Sequence, residues 1–234
     1  MSALLSVEDI HTFIGQFHIL EGVSIEVPAN SITALLGRNG AGKTTSLRSI
    51  IGLNPPSRGA IRFQGKVISG QRAFEIAQLG IGYVPDYRAI FRQLTVEENL
   101  RIAERKKGDL DRKKAFILAL FPDLGRLYAW PGGQLSGGQQ QMLAIARALV
   151  PDNQLLLIDE PSEGLAPVII EQLMAAIRQL SGQTTVLLVE QNFRVARVLA
   201  DRYVIVEDGR SVHSGLMADL AGDQALINRY LGAA

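Results

Sequence analysis

Gly37-Arg38-Asn39-Gly40-Ala41-Gly42-Lys43-Thr44 fits the pattern G-x-x-x-x-G-K-[ST] at every specified position. A polyphosphate can be wrapped only where backbone N–H groups approach it closely, so glycines must take the place of side chains. A helix beginning at the loop then adds its partial positive charge. In such a loop Lys43 acts as a point charge on the β- and γ-phosphates, and the Thr44 hydroxyl ligates Mg²⁺ bound to the same oxygens. A second signal is Leu155-Leu156-Leu157-Ile158-Asp159-Glu160, an apolar run that ends in two acids, where ligands bind in open α/β sheets. Asp159 suits a contact to Mg²⁺-bound water and Glu160 a base that orients an attacking water. Standing alone, two acids that close a strand into a turn carry little; beside a phosphate loop they point to hydrolysis. The third signal is Leu135-Ser136-Gly137-Gly138-Gln139. Its hydroxyl and bare backbone amides ahead of a helix repeat the logic of the loop and offer a second site for a γ-phosphate.

These residues need elements to hold them. The apolar run 32–36 delivers the loop, and Leu47, Ile50 and Ile51 make the stripe of a helix that follows it and ends at Gly52. Further apolar runs at 155–158, 185–189 and 203–206 read as strands of a parallel sheet covered on both faces. Residues 61–68 alternate around Gln64, Gly65 and Lys66, the pattern of an antiparallel hairpin. From 95 to 150 strand signals give way to helix signals, beginning with Thr95 and Glu98 in capping-box spacing. In that stretch Met142, Ile145, Ala146 and Leu149 form a one-faced stripe. Another helix should start near Pro167 and bury Ile170, Leu173, Met174, Ile177 and Leu180. Residues 218–234 read as one terminal helix packed on the core.

Composition bounds the rest. The 234 residues carry 24 Lys and Arg against 23 Asp and Glu, a net charge of +1 that argues against a strongly basic nucleic-acid binder. Hydrophobic residues at 47% and charged ones at 20% suit a chain with a sizeable core. The absence of cysteine removes disulfides, zinc-thiolate sites and cysteine nucleophiles. The longest apolar run, 115–121, stops at Pro122, far short of the roughly 18 residues a membrane span needs. Residues 1–10 lack a basic leader, and nothing there marks the chain for secretion. The basic stretch 101–114 is a solvated surface or an attraction to an acidic partner or membrane face.

The order of loop, LSGGQ at 135–139 and L-L-I-D-E strand resembles the ATP-binding-cassette ATPases, over essentially the whole chain. The resemblance implies an α/β P-loop NTPase core with a mixed sheet, an antiparallel β hairpin region and an inserted helical subdomain. As a single domain, 1–85 and 151–234 would form the nucleotide-binding core and 86–150 the helical signature subdomain. It implies ATP and Mg²⁺ as ligands, with ATP contacted by Gly37, Arg38, Asn39, Gly40, Ala41, Gly42, Lys43, Thr44 and Thr45. Glu160, Lys43 and Gln191 would be catalytic, and Thr44, Asp86 and Asp159 would hold the metal. Two subunits would pair head to tail, each Leu135, Ser136, Gly137, Gly138 and Gln139 closing over the partner's loop. The segments 94–100, 160–167 and 189–192 are similar to ATP-binding subunits of branched-chain amino acid importers. For that group the resemblance implies a second cassette subunit, identical or not, and two integral membrane permease subunits. It also implies an extracytoplasmic solute-binding protein acting indirectly, no nucleic acid, and a place on the cytoplasmic face of the inner membrane. Relatives for urea and other small solutes leave the solute open.

Four positions depart from the general cassette pattern. Gln191 stands where a switch histidine contacts the γ-phosphate; it offers an amide but no proton shuttle, and altered switching and a structural role both remain open. Asp86 replaces a longer Gln or Glu, leaving a metal contact or the start of a turn after Pro85. Ile14 aligns with an adenine-stacking aromatic and would contact the nucleotide through apolar atoms alone, so Phe13 or Phe17 either supplies the ring or belongs to the core. Ala166 replaces an acid. Two other classes compete: a soluble cassette ATPase of DNA maintenance or translation, which needs a coiled-coil insertion or tandem cassettes, and a nucleotide-binding regulator that does not hydrolyse.

Overall fold

The computed structural model describes residues 3–232. Two twelve-residue strands, β1 (Ala3–Ile14) and β2 (Phe17–Pro28), form an antiparallel hairpin turning at Gly15 and Gln16. β3 (Ile32–Leu36) leads through the glycine-rich loop to α1 (Lys43–Ile50). β4 (Arg58–Phe63) and β5 (Lys66–Val67) make the expected hairpin, with Gln64 at φ 53° and Gly65 at φ 76°. Positive φ at both turn residues matches the right-handed twist of the flanking strands. α2 (Ala73–Gln78) and β6 (Ile81–Val84) follow.

Between β6 and the next strand every described element is helical: α3 (Val96–Arg101), α4 (Asp109–Leu120), α5 (Pro122–Arg126) and α6 (Gly137–Leu149), with one 3₁₀ turn at Gly132–Gln134. The Thr95 capping box forms as expected: Thr95 Oγ1 accepts from Glu98 N and Glu98 Oε2 accepts from Thr95 N. The chain then alternates β7 (Leu155–Asp159), α7 (Pro167–Leu180), β8 (Thr185–Val189), α8 (Phe193–Leu199) and β9 (Arg202–Glu207). It closes with β10 (Arg210–Leu216), α9 (Met217–Gly222) and α10 (Gln224–Leu231).

The strands form two sheets. One is antiparallel in the order β2-β1-β4-β5; the other runs β10-β9-β3-β8-β7-β6, parallel except for the edge strand β10. Period-two alternation divides the larger sheet between two cores. Leu155, Leu157, Leu187 and Val189 pack with the antiparallel sheet and α1, whereas Leu156, Ile158, Val186 and Leu188 pack with α6, α7 and α8. A one-residue slip would exchange these faces, so the register that lines up the strand ends is held by burial.

Two helix expectations are corrected. In α7, Leu173, Ile177 and Leu180 are buried, but Ile170 and Met174 are only partly so. At 100° per residue those two lie roughly 60° and 100° round the helix from Leu173, at the rim of the stripe. The single terminal helix is in fact α9 and α10, broken at Asp223, whose carboxylate accepts from Leu226 N at 2.9 Å and starts a new helix. Residues 233 and 234 of that segment, and the first two of the expected leader-free start, lie outside the described residues.

Candidate nucleotide site

Adjacent parallel strands β3, β8, β7 and β6 all end at one edge of the sheet, and each delivers polar chemistry there. β3 runs into Gly37, β8 into Glu190, β7 ends in Asp159 and Glu160, and β6 runs through Pro85 to Asp86.

The loop between β3 and α1 has the conformation its glycines permit. Gly37, Gly40 and Gly42 have φ of 149°, 81° and 106°. A Cβ on Gly37 would stand 2.2 Å from the Val206 carbonyl oxygen, so that position accepts no side chain. Lys43 is 4% exposed. Its Nζ donates to the carbonyls of Gly37 (3.0 Å) and Arg38 (3.2 Å) and lies 3.3 Å from Glu160 Oε1. An ammonium held by two carbonyls and one carboxylate is compensated and also aimed at the mouth of the loop.

Beside it Thr44 Oγ1 donates to Asp159 Oδ1 at 3.1 Å and Tyr83 OH donates to Asp159 Oδ2 at 3.3 Å. Burial pushes the Asp159 carboxyl up to about 6; the charges of Asp86 and Glu160 add to this, and the Thr44 and Tyr83 donors oppose it. Among the described residues no group of three or more His, Cys, Asp or Glu forms a protein-only metal cage. A hydroxyl and a carboxylate side by side are instead the hard oxygen donors that suit Mg²⁺ shared with phosphate oxygens and water.

Glu160 has φ 43°, and its N–H donates to the Val189 carbonyl at 3.0 Å. Asp159 pairs with Val189 across β7 and β8, which brings Glu190 beside Glu160. Glu190 is buried, and its carboxylate accepts from Ser162 N (3.3 Å), Ser162 Oγ (3.0 Å) and Asn192 N (3.3 Å). Burial nevertheless pushes it up to about 7, with those donors opposing and the Glu160 charge adding. Glu160, Ser162, Glu190 and Gln191 line one cavity of about 300 Å³.

The signature turn is built differently. Ser136 caps α6: Gln139 N donates to Ser136 Oγ (3.3 Å) and Ser136 N donates to Gln139 Oε1 (2.9 Å). Leu135 is buried, Gly138 packs against Ile169, and Gly137 faces the Arg88 guanidinium. Among the described residues no hydrogen bond or ion pair joins 135–139 to 37–44.

Of the other sequence-selected residues, Arg38, Asn39 and Gly40 are exposed on the loop, Ala41 is buried, Thr45 is half-buried, and Gln191 is exposed beside Glu160. Asp86 is exposed and accepts from Tyr87 N at 2.9 Å; its charge reaches Asp159, but it bonds neither Asp159 nor Thr44. Ile14 ends β1 in the open, as do Phe13 and Phe17 on the same hairpin, so neither ring is core. Phe13 stacks on His18, with ring centroids 4.2 Å apart and planes 4° off parallel. Ala166 precedes α7 without a side-chain cap. No local sequence pattern marks a role for Tyr83, Arg48 or Glu190. Arg48 stands by Tyr83, whose proximity pushes its pKa up, and it also feels Asp86 and Asp159.

The family model for the ABC transporter matches residues 20–163. The chain belongs to the ABC transporter family. It is 42% identical over 232 residues to the high-affinity branched-chain amino acid transport ATP-binding protein BraG of Pseudomonas aeruginosa, covering 98% of this chain and 100% of that protein. It is 38% identical over 209 residues to the probable branched-chain amino acid transport ATP-binding protein LivF of Archaeoglobus fulgidus, covering 88% and 89%. A crystal structure of an ABC transporter's ATP-binding cassette in its ADP conformation superposes with a TM-score of 0.86 at 25% identity, covering 100% of both chains. The fold is thus that of a cassette ATPase, whose chemistry is ATP hydrolysis and whose subunits work with membrane permeases. Among the described residues no helix is long and apolar enough to cross a membrane.

Proposed function

We propose that this chain is the ATP-hydrolysing subunit of an ABC importer, powering uptake of branched-chain amino acids or a related small solute through two membrane permease subunits. The observation that carries the chemistry is the Glu160 carboxylate 3.3 Å from Lys43, with Asp159 and Thr44 joined alongside. The solute class is supported by the full-length likeness to BraG and LivF.

On this reading the bare amides of 37–42 and the start of α1 wrap the phosphates, and Thr45 and Ile14 lie along the nucleotide. Lys43 exchanges the Gly37 and Arg38 carbonyls for phosphate oxygens and releases Glu160. The freed carboxylate orients water against the γ-phosphate and accepts its proton. Glu190, held by the Ser162 and Asn192 N–H groups, fixes the turn that follows Glu160 and so positions it. Thr44 and Asp159, with Asp86 at longer range, would hold Mg²⁺, which supplies Lewis-acid neutralisation of the phosphate oxygens. The Gln191 amide donates to the γ-phosphate. Ser136, Gly137 and Gly138 of a second cassette, identical or not, complete the site, so residues 86–150 act as the unit that presents the signature and the remainder as the nucleotide core. A solute-binding protein outside the cell delivers the solute, and the chain works at the cytoplasmic face of the inner membrane without binding nucleic acid.

The test is purification of the tagged chain from its native membrane in mild detergent, followed by Mg²⁺-ATPase and solute-uptake assays in proteoliposomes. Two membrane subunits co-purifying, with hydrolysis stimulated by leucine, isoleucine or valine delivery, is the expected result. A chain that stays alone, or travels with ribosomes or nucleic acid, overturns the transport reading.

A further inference from the structure

A second cavity, of about 420 Å³, lies at the far end of the parallel strands from the nucleotide residues, and it falls in the size range of small-molecule sites. Lys113 and Phe116 of α4 line it together with Leu149, Asp152, Leu180 and Gln183. Leu149 closes α6 and Leu180 closes α7, so two helix C-termini, each carrying partial negative charge, open on the same space. Lys113 Nζ lies 2.8 Å from Asp152 Oδ1, and the Arg112 guanidinium stands 3.7 Å from the other carboxylate oxygen. The Lys113 and Asp152 side chains are 37% and 66% exposed, so their pairing adds little to stability and exchanges readily for other partners. Asn153 also lines the cavity; its Nδ2 donates to the Ala148 carbonyl at 2.7 Å, and its Oδ1 is buried with no partner. Phe116, Leu149 and Leu180 supply an apolar wall.

A cation and an anion at hydrogen-bonding distance, beside an apolar wall, narrow the chemistry of an occupant. A simple anion would face Asp152 and both helix ends. A simple cation would face Lys113 and Arg112, and a purely apolar molecule would leave the ion pair and the Asn153 oxygen as they are. An α-amino acid carries a carboxylate and an ammonium on one carbon, with its side chain directed away from both. The carboxylate suits Lys113, the ammonium suits Asp152 and the oxygens at the helix ends, and an aliphatic side chain suits the wall. The cavity also joins two parts of the chain. α4 and α6 belong to the helical stretch between β6 and β7, whereas Gln183 and Thr184 lead into β8 and Asn30 leads into β3.

We infer that this cavity binds a free aliphatic α-amino acid, and that the bound molecule ties α4 and the end of α6 to the loops that enter β3 and β8. The inference stands apart from the importer reading, because it concerns the isolated chain and none of the nucleotide residues. Since α6 begins at the signature turn, an occupant at its far end restrains the helix that presents Ser136, Gly137 and Gly138.

The test is titration of the full chain with L-leucine by calorimetry, in saturating Mg²⁺-ADP so that the nucleotide site is already filled. Saturable binding at one site is the expected result. Glycine, isocaproate and isopentylamine, which lack the side chain, the ammonium and the carboxylate in turn, should each bind at least about tenfold more weakly. Lys113→Ala should weaken leucine binding by a similar factor and leave ADP affinity unchanged, with unchanged circular dichroism showing that the variant folds. Leucine should slow deuterium exchange in 112–118, 148–154 and 180–185 but not in 37–44. No saturable leucine binding, equal binding of the three truncated probes, full affinity in Lys113→Ala, or protection confined to 37–44 overturns this inference and leaves the importer reading intact. A chain that recovers no membrane subunit overturns the importer reading and leaves leucine binding as measured.

Discussion

The loop 37–44 and the turn 135–139 are both glycine-rich segments ahead of a helix, yet they use glycine for opposite reasons. In the first, Gly37, Gly40 and Gly42 take positive φ that bends the backbone into a cradle, and Lys43, Asp159, Glu160 and Thr44 are bonded to one another around it. In the second, Gly137 and Gly138 have no positive φ; they are small because Arg88 and Ile169 press on them, and Ser136 bonds only within its own cap. One region gathers the lysine, both carboxylates and Thr44, and the other keeps a hydroxyl whose proton is still free to donate. On the proposed reading, a site so divided acts only when a second cassette, identical or not, supplies the missing half.

The sharpest way to break this contrast is Glu160→Gln. Turnover should fall about 10²-fold or more, and ATP-bound dimers should accumulate on size exclusion; unchanged hydrolysis would remove Glu160 from the role of base. Gly37→Ala comes next, because its Cβ meets a backbone carbonyl. Nucleotide affinity measured by calorimetry should drop by at least about tenfold, with loss of stability. Gly138→Ala places its Cβ 2.6 Å from Ile169 Cγ2, a side chain able to move, so a loss of about 1–2 kcal/mol in denaturant midpoint is expected. Gly138→Ala should also leave nucleotide binding by the monomer intact, and equal damage to binding from both glycine variants would erase the distinction.

A pH dependence, spread over several pH units, is expected from the first region alone. Glu190 titrates at about 7 in the fold against a usual 4.5, and Asp159 at about 6 against 3.8. Both hold their protons more tightly folded than unfolded. Their contribution to stability is therefore complete below the unfolded values and is lost as pH rises through about 6 to 7, by up to about 3 kcal/mol each. Urea midpoints of the nucleotide-free protein at pH 5 and 7.5 should show that decline, and Glu190→Gln should flatten its upper part. An undiminished slope in that variant assigns the titration elsewhere.

The chemistry was legible in the sequence wherever it is local. Loop, acid pair and signature are runs of fixed spacing, and the apolar strands that carry them announce themselves. Glu190 was not legible as a participant, because only the pairing of Asp159 with Val189 brings it beside Glu160. Tyr83 and Arg48 reach Asp159 and each other from different elements, with nothing in their flanking residues to mark them. The long β1–β2 hairpin hid for a different reason: register shifts between Val7 and Ile10, Ile10 and His11, and Thr12 and Phe13 break the alternation that would have shown it. The break at Asp223 depended on one capping carboxylate that also reads as ordinary helix surface.

At Glu160 a left-handed backbone and a charge that the fold needs meet in a single residue. An L side chain at φ 43° carries strain of about 1 kcal/mol or more that glycine does not. Glu160→Gly relieves that strain but also removes the carboxylate beside Lys43, leaving the buried ammonium with the Gly37 and Arg38 carbonyls alone. The bend is therefore held by the charge that it delivers, not by the backbone preference of the residue that makes it.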